Sequence, residues 1–131
     1  MRGGLRFNLQ KTTMRSMLAV AMLVLASCGQ QQPLDIIAKN KSSASVDNFT
    51  MSFAGQDCRV GALVKDGTAG MSGFPYPVTS PARVSWTDIA GAKHQKDVVL
   101  PPMDRSKPGE LVFVLEGSEV SVVFRDRFAK D

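Results

Sequence analysis

From Asn48 onward, apolar and polar residues alternate along much of this chain, and a period of two marks strands with one face against a core. Phe49, Met51 and Phe53 alternate with Asn48, Thr50 and Ser52. Val60, Ala62 and Val64 repeat the spacing before a Lys65-Asp66-Gly67 turn signal. Val84 and Trp86 alternate with Ser85 and Thr87, and the loop Asp88 to Ala92 leads to Val98-Val99-Leu100, which predicts a hairpin ended by Pro101 and Pro102. The clearest pair is Leu111 to Leu115 and Val120 to Phe124, joined by Glu116-Gly117-Ser118. Leu111 to Leu115 is apolar on both faces, which predicts a central strand covered on both sides. After the first 27 residues, no window of ten or more shows a helical period. Six or seven short strands separated by Gly and Pro predict an all-β fold, a small antiparallel β-sandwich or open barrel.

Upstream the pattern changes to one uninterrupted apolar run from Met17 to Ala26, preceded by Arg2, Arg6, Lys11 and Arg15 and no acid. Ten helical residues span about 15 Å, roughly half the hydrocarbon thickness of a bilayer, so the run is too short for a transmembrane helix. A basic start, a short apolar core and small residues at its end describe a secretory signal peptide. The core closes on Leu25-Ala26-Ser27-Cys28, which resembles the lipobox of bacterial lipoproteins. The resemblance implies cleavage before Cys28, lipid on its thiol and attachment to a membrane through that lipid. In the family an Asp after the cysteine commonly holds the product in the inner membrane. Gly29 stands there instead, so the resemblance implies a lipid-anchored protein of the outer membrane facing the periplasm. Residues 1–27 are thus expected to be a signal peptide, 28–33 a lipidated anchor and tether closed by Pro33, and 34–131 the β-sandwich domain.

Charge removes one class of partner. The formal charge of +4 comes from 16 basic and 12 acidic residues, and four of the basic ones lie before Cys28, which leaves 16 − 4 = 12 against 12. The remainder is formally neutral and has no basic stripe, which argues against nucleic acid as a partner.

The chemistry available is sparse. His94 is the single histidine, set among Lys93, Gln95 and Lys96, so any Ser-His or Cys-His site would have to be built on it; an exposed, non-catalytic histidine is the plainer expectation. One His and one further Cys make no spaced ligand set for zinc, and Gly67 to Gly73 lacks the Lys and Ser or Thr of a phosphate loop. No enzyme, metal or cofactor is expected. Cys58 has no partner in the chain once Cys28 carries lipid; it is expected to be buried as a small apolar residue, the sharper alternative being a mixed disulfide with another protein.

The segment from Gly67 to Pro81 has no strand pattern and carries Met71, Phe74 and Tyr76 among glycines and prolines. Two expectations compete: the rings anchor a protein partner, or they fold back as a lid over the core. Over Val84 to Phe124 the chain also faintly resembles small uncharacterised β-rich bacterial lipoproteins, some of them similar to immunity partners of secreted toxins. The sequence therefore points to a membrane-anchored periplasmic protein-binding module, with an immunity protein as the sharper form. An accessory lipoprotein of an envelope or secretion assembly is the alternative.

Overall fold

The computed structural model of the chain describes residues 32–127. The apolar run, the lipobox with Cys28 and the first tether residues Gln30 and Gln31 lie outside the described residues. The described part is all-β, with eight strands: β1 (Leu34–Asn40), β2 (Val46–Phe53), β3 (Gln56–Leu63), β4 (Thr68–Met71), β5 (Ala82–Thr87), β6 (Lys93–Val98), β7 (Gly109–Glu116) and β8 (Glu119–Asp126). They form two four-stranded sheets, ordered β4-β1-β7-β8 and β3-β2-β5-β6. These are the two layers of a small sandwich rather than a closed barrel. All pairings are antiparallel except β1 with β7, which run parallel from Leu34↔Gly109 to Asn40↔Leu115.

The predicted alternations and the Leu111 to Leu115 run account for about half of the core. Phe49, Met51, Phe53, Val84 and Phe113 are fully buried, and Trp86 nearly so. Phe53 packs against Phe113 of the facing sheet with ring centroids 6.1 Å apart, an edge-inclined aromatic contact across the layers. β7 lies inside its sheet, as the doubly apolar run predicts: Leu111, Phe113 and Leu115 face the core while Val112, on the outer face, is only 3% exposed. The β7–β8 hairpin turns on Gly117-Ser118, with Gly117 in the left-handed region at φ 65°.

The alternation read over Val60 to Val64 runs out of phase in the structure, and a bulge explains it; a second bulge, in β2, lies just before Phe49. Cys58 and Leu63 both face the core although five residues separate them, so the period of two must break between them. The break is a bulge in β3, where Gly61 takes φ 71° and the pairing steps from Thr50↔Arg59 to Phe49↔Gly61. Ala62 and Val64 consequently turn to solvent instead of the core, and Val60 is half-buried. In β2 the residue that restores the phase is Asn48, at φ 52°, which lets Val46 and Phe49 face inward three residues apart. Asparagine tolerates that conformation better than most residues.

The second strand of the β5–β6 hairpin is Lys93–Val98, not Val98–Leu100. β6 is a sheet edge, and its pattern is polar because little core lies beyond it. Val99 is 78% exposed; Leu100 is buried after the strand has ended, its N–H donating to Ser80 Oγ at 3.0 Å. β1 and β4 have no counterpart in the sequence reading. In β1 the core series Leu34, Ile36, Ala38 is blurred by Ile37, which faces outward. β4 is four residues long with a glycine inside it, and Gly70 is required there because a Cβ would collide with the Ile36 carbonyl oxygen.

One buried polar group ties the two sheets together. Asn40, at the end of β1, is 1% exposed and donates through Nδ2 to the carbonyls of Leu63 at 2.9 Å and Ala44 at 3.0 Å. Its Oδ1 accepts from the Ser42 N–H at 2.8 Å. All its hydrogen-bonding groups are used, as burial demands.

Candidate interaction surfaces

The loop that follows β4 is fastened to β1 at two points. The Phe74 N–H donates to the Leu34 carbonyl at 2.8 Å, and the Gly73 N–H to Asp35 Oδ1 at 2.9 Å. Asp35 Oδ1 is itself 2.8 Å from the Arg127 guanidinium. Those contacts aim the Phe74 ring inward. It is 6% exposed and inclined against Phe53 at a centroid distance of 5.4 Å. Of the two competing expectations, the lid therefore describes Phe74. Tyr76 stands edge-on to Phe74 at 5.6 Å and stays 48% exposed, with Met71 40% exposed. The buried ring is a base on which the outer ring is held. Phe74→Ala should accordingly cost about 3 kcal/mol of stability, and Tyr76→Ala less than about 1. Urea unfolding of the two single variants checks the split.

His94 is half-buried rather than exposed. Its ring stacks on Trp86, 5.2 Å between centroids and 10° between planes, and its Nε2 lies 2.7 Å from Asp88 Oδ2. The other carboxylate oxygen of Asp88 accepts the N–H groups of Ala90 and Ala92 at 2.9 Å each, which shapes the β5–β6 turn. The His94 hydrogen bond, followed by the Ala92 N–H, holds the Asp88 carboxyl below its ordinary range. Among the described residues no hydroxyl or thiol is hydrogen-bonded to His94, and no three His, Cys, Asp or Glu side chains group as a metal site. The cluster closes the margin of the core beside Trp86.

Cys58 is buried, opposite Met51, and burial pushes its thiol pKa up, which disfavours the thiolate. The neighbouring Asp57 points to the other face, where its carboxylate accepts from Ser52 Oγ at 2.5 Å and lies 3.4 Å from Arg59. The Ser52 bond is the main cause of a lowered Asp57 pKa.

The outer face of the β3-β2-β5-β6 sheet forms a second surface that the sequence reading passes over. Two shallow depressions of about 400 and 370 Å³ lie on it. The first lies around Ser52, Asp57, Arg83 and Asp97, with Arg83 and Asp97 paired at 3.3 Å; the second around Asn48, Thr50, Ser85 and Gln95. The polar half of each alternation carries this surface, but short polar side chains are also what any solvated sheet face needs.

No family model matches the chain, and no curated protein matches it. A solved structure does: the NMR structure of a protein from Eubacterium rectale is similar over 75% of this chain and 93% of that one, with a TM-score of 0.51 and 16% identity. At that identity the likeness concerns the fold alone.

Proposed function

We propose that this chain is a lipid-anchored module of the bacterial cell envelope that binds another protein in the periplasm. The observation that carries the reading is the post-β4 loop: an exposed Tyr76 held edge-on to a buried Phe74, with Pro75 and Pro77 restricting the backbone and the exposed Met71 ending β4 just before it. A preformed aromatic projection loses little entropy on docking, so more of its contact energy appears as affinity. The lipobox resemblance supports the anchor, with Cys28 as the lipidated residue. The likeness to toxin-immunity lipoproteins makes a secreted toxin the first partner to test.

A second reading, an accessory subunit of an envelope assembly, draws on a different surface. Ile37, Val112 and Val123 form an apolar row across the outer face of the β4-β1-β7-β8 sheet, of which Val123 is exposed, Ile37 half-buried and Val112 buried. A permanent neighbour would cover the exposed end of the row at Val123. The two readings differ in where a partner touches. A photocrosslinking residue at position 76 of the full chain, in its native envelope, should give one dominant protein adduct. The same probe in place of Ile89, which is 81% exposed in the β5–β6 turn, serves as the control. Equal adducts from both positions, or a dominant adduct only from position 123, would move the interface off the loop.

A further inference from the structure

The four sheet edges are not alike. β4 has only four residues, β3 is kinked by its bulge at Gly61, and β6 carries Lys93 and Lys96. Short length, bulges and lysines are the usual devices that stop an edge from pairing with another chain. β8 has none of them. It runs eight residues, Glu-Val-Ser-Val-Val-Phe-Arg-Asp, without Lys, Pro, Gly or bulge and with its charges confined to its two ends, and among the described residues it pairs only with β7. β6, the edge of the facing sheet, comes near it without joining its sheet.

The register with β7 fixes which backbone groups face outward. A two-residue turn closes on a hydrogen-bonded pair, here Glu116 and Glu119, and hydrogen-bonded and non-bonded pairs then alternate along the hairpin. Val120, Val122 and Phe124 therefore fall at non-bonded positions toward β7 and turn their N–H and C=O groups to the free edge. Their side chains face the core and are half-buried.

We propose that two copies of this chain pair antiparallel through β8, about a twofold axis at Val122, to make one continuous eight-stranded sheet. An isologous pairing must set outward-facing residues against outward-facing residues, so even positions must meet even positions. Centring on Val122 satisfies this along the strand: Val122 meets its own copy, Val120 meets Phe124, Ser121 meets Val123, and Glu119 meets Arg125. The last pair occurs twice by symmetry and joins opposite charges on the outer face. It also resolves an oddity of the single chain. Glu116 and Glu119 stand directly opposite each other across the hairpin, a like-charge pair that destabilises a sheet, and among the described residues neither has an ion pair. In the dimer the second copy's Arg125, which in its own chain stands opposite Glu110 at 4.0 Å, lies beside them and is shared between the two chains' carboxylates. The inference does not depend on the loop or its partner.

The test uses the full chain in membranes, expressed as two differently tagged copies. Ser121→Cys on one and Val123→Cys on the other stand at a non-bonded pair, where Cβ atoms come within about 5 Å, so mild oxidation should give a disulfide joining the two tags. Thr68→Cys, exposed on the β4 edge, replaces Ser121→Cys in the control and should give little. Adding Glu119→Arg to both copies relieves the Glu116 repulsion within each chain yet sets Arg against Arg125, and should lower the yield about tenfold or more. Adding Arg125→Glu as well, together with Glu110→Lys to keep opposite charges across β7 and β8, should restore it. If that combined variant fails to accumulate, Glu119→Gln alone must still lower the yield. Equal crosslinking from the control position, no dependence on charge at 119, or adducts only with a different protein would each overturn the pairing.

Discussion

Phe113→Ala is expected to cost about 3 to 5 kcal/mol of unfolding free energy, the range for emptying an aromatic site in a core. Phe113 is fully buried at the middle of β7, an inner strand whose two neighbours pair with it along its length. Its ring meets Phe53 of the opposite sheet, so truncation opens a void between layers that rigid strands on both sides are poorly placed to fill. Trp86, the single tryptophan and 3% exposed, provides a fluorescence signal for urea unfolding. A loss below about 1 kcal/mol would mean that the two sheets do not pack at this point.

Asn40→Ala is expected to cost about 4 kcal/mol, more than its small volume suggests. The substitution strands the buried Leu63 carbonyl together with the part-buried Ala44 carbonyl and Ser42 N–H. A buried group left without a partner costs about 1 to 3 kcal/mol, and less where water can reach it. Asn40→Asp should also destabilise, because a carboxylate cannot donate to the two carbonyls that Nδ2 serves. The same unfolding measurement checks both variants. An alanine variant within about 1 kcal/mol of the parent would show that water replaces the side chain.

The contrast between these two sites shows how far the sequence is legible. Phe113 lies in an apolar run whose period and turn are local, so its strand, its central position and its burial can be read from neighbouring residues. The role of Asn40 depends on Leu63, 23 residues away, and on a parallel pairing of β1 with β7 across about 75 residues; nothing near Asn40 encodes either. The bulges fall between these cases. Asn48 and Gly61 are residues suited to positive φ, but only the pairing register shows that Gly61 shifts β3 so that Leu63 rather than Ala62 faces the core, and that Asn48 shifts β2 so that Val46 and Phe49 both do. In the loop, the aromatic residues stand out in the sequence, while the hydrogen bonds from Phe74 and Gly73 to β1 decide which ring turns inward. His94 is similar: its polar neighbours suggest exposure, but the hairpin register sets it opposite Trp86 and within reach of Asp88. Outside the described residues, the lipobox reading rests on sequence alone.

The proposal that this sandwich works from a membrane surface depends on one sulfur atom, and metabolic labelling with a fatty-acid analogue tests it most directly. The parent chain, expressed in bacteria that carry the lipoprotein pathway, should take up label and fractionate with membranes. Cys28→Ala should take up none and should accumulate uncut or as soluble product. Label persisting on the alanine variant, or a parent chain that is exported and cut without label, would contradict the account.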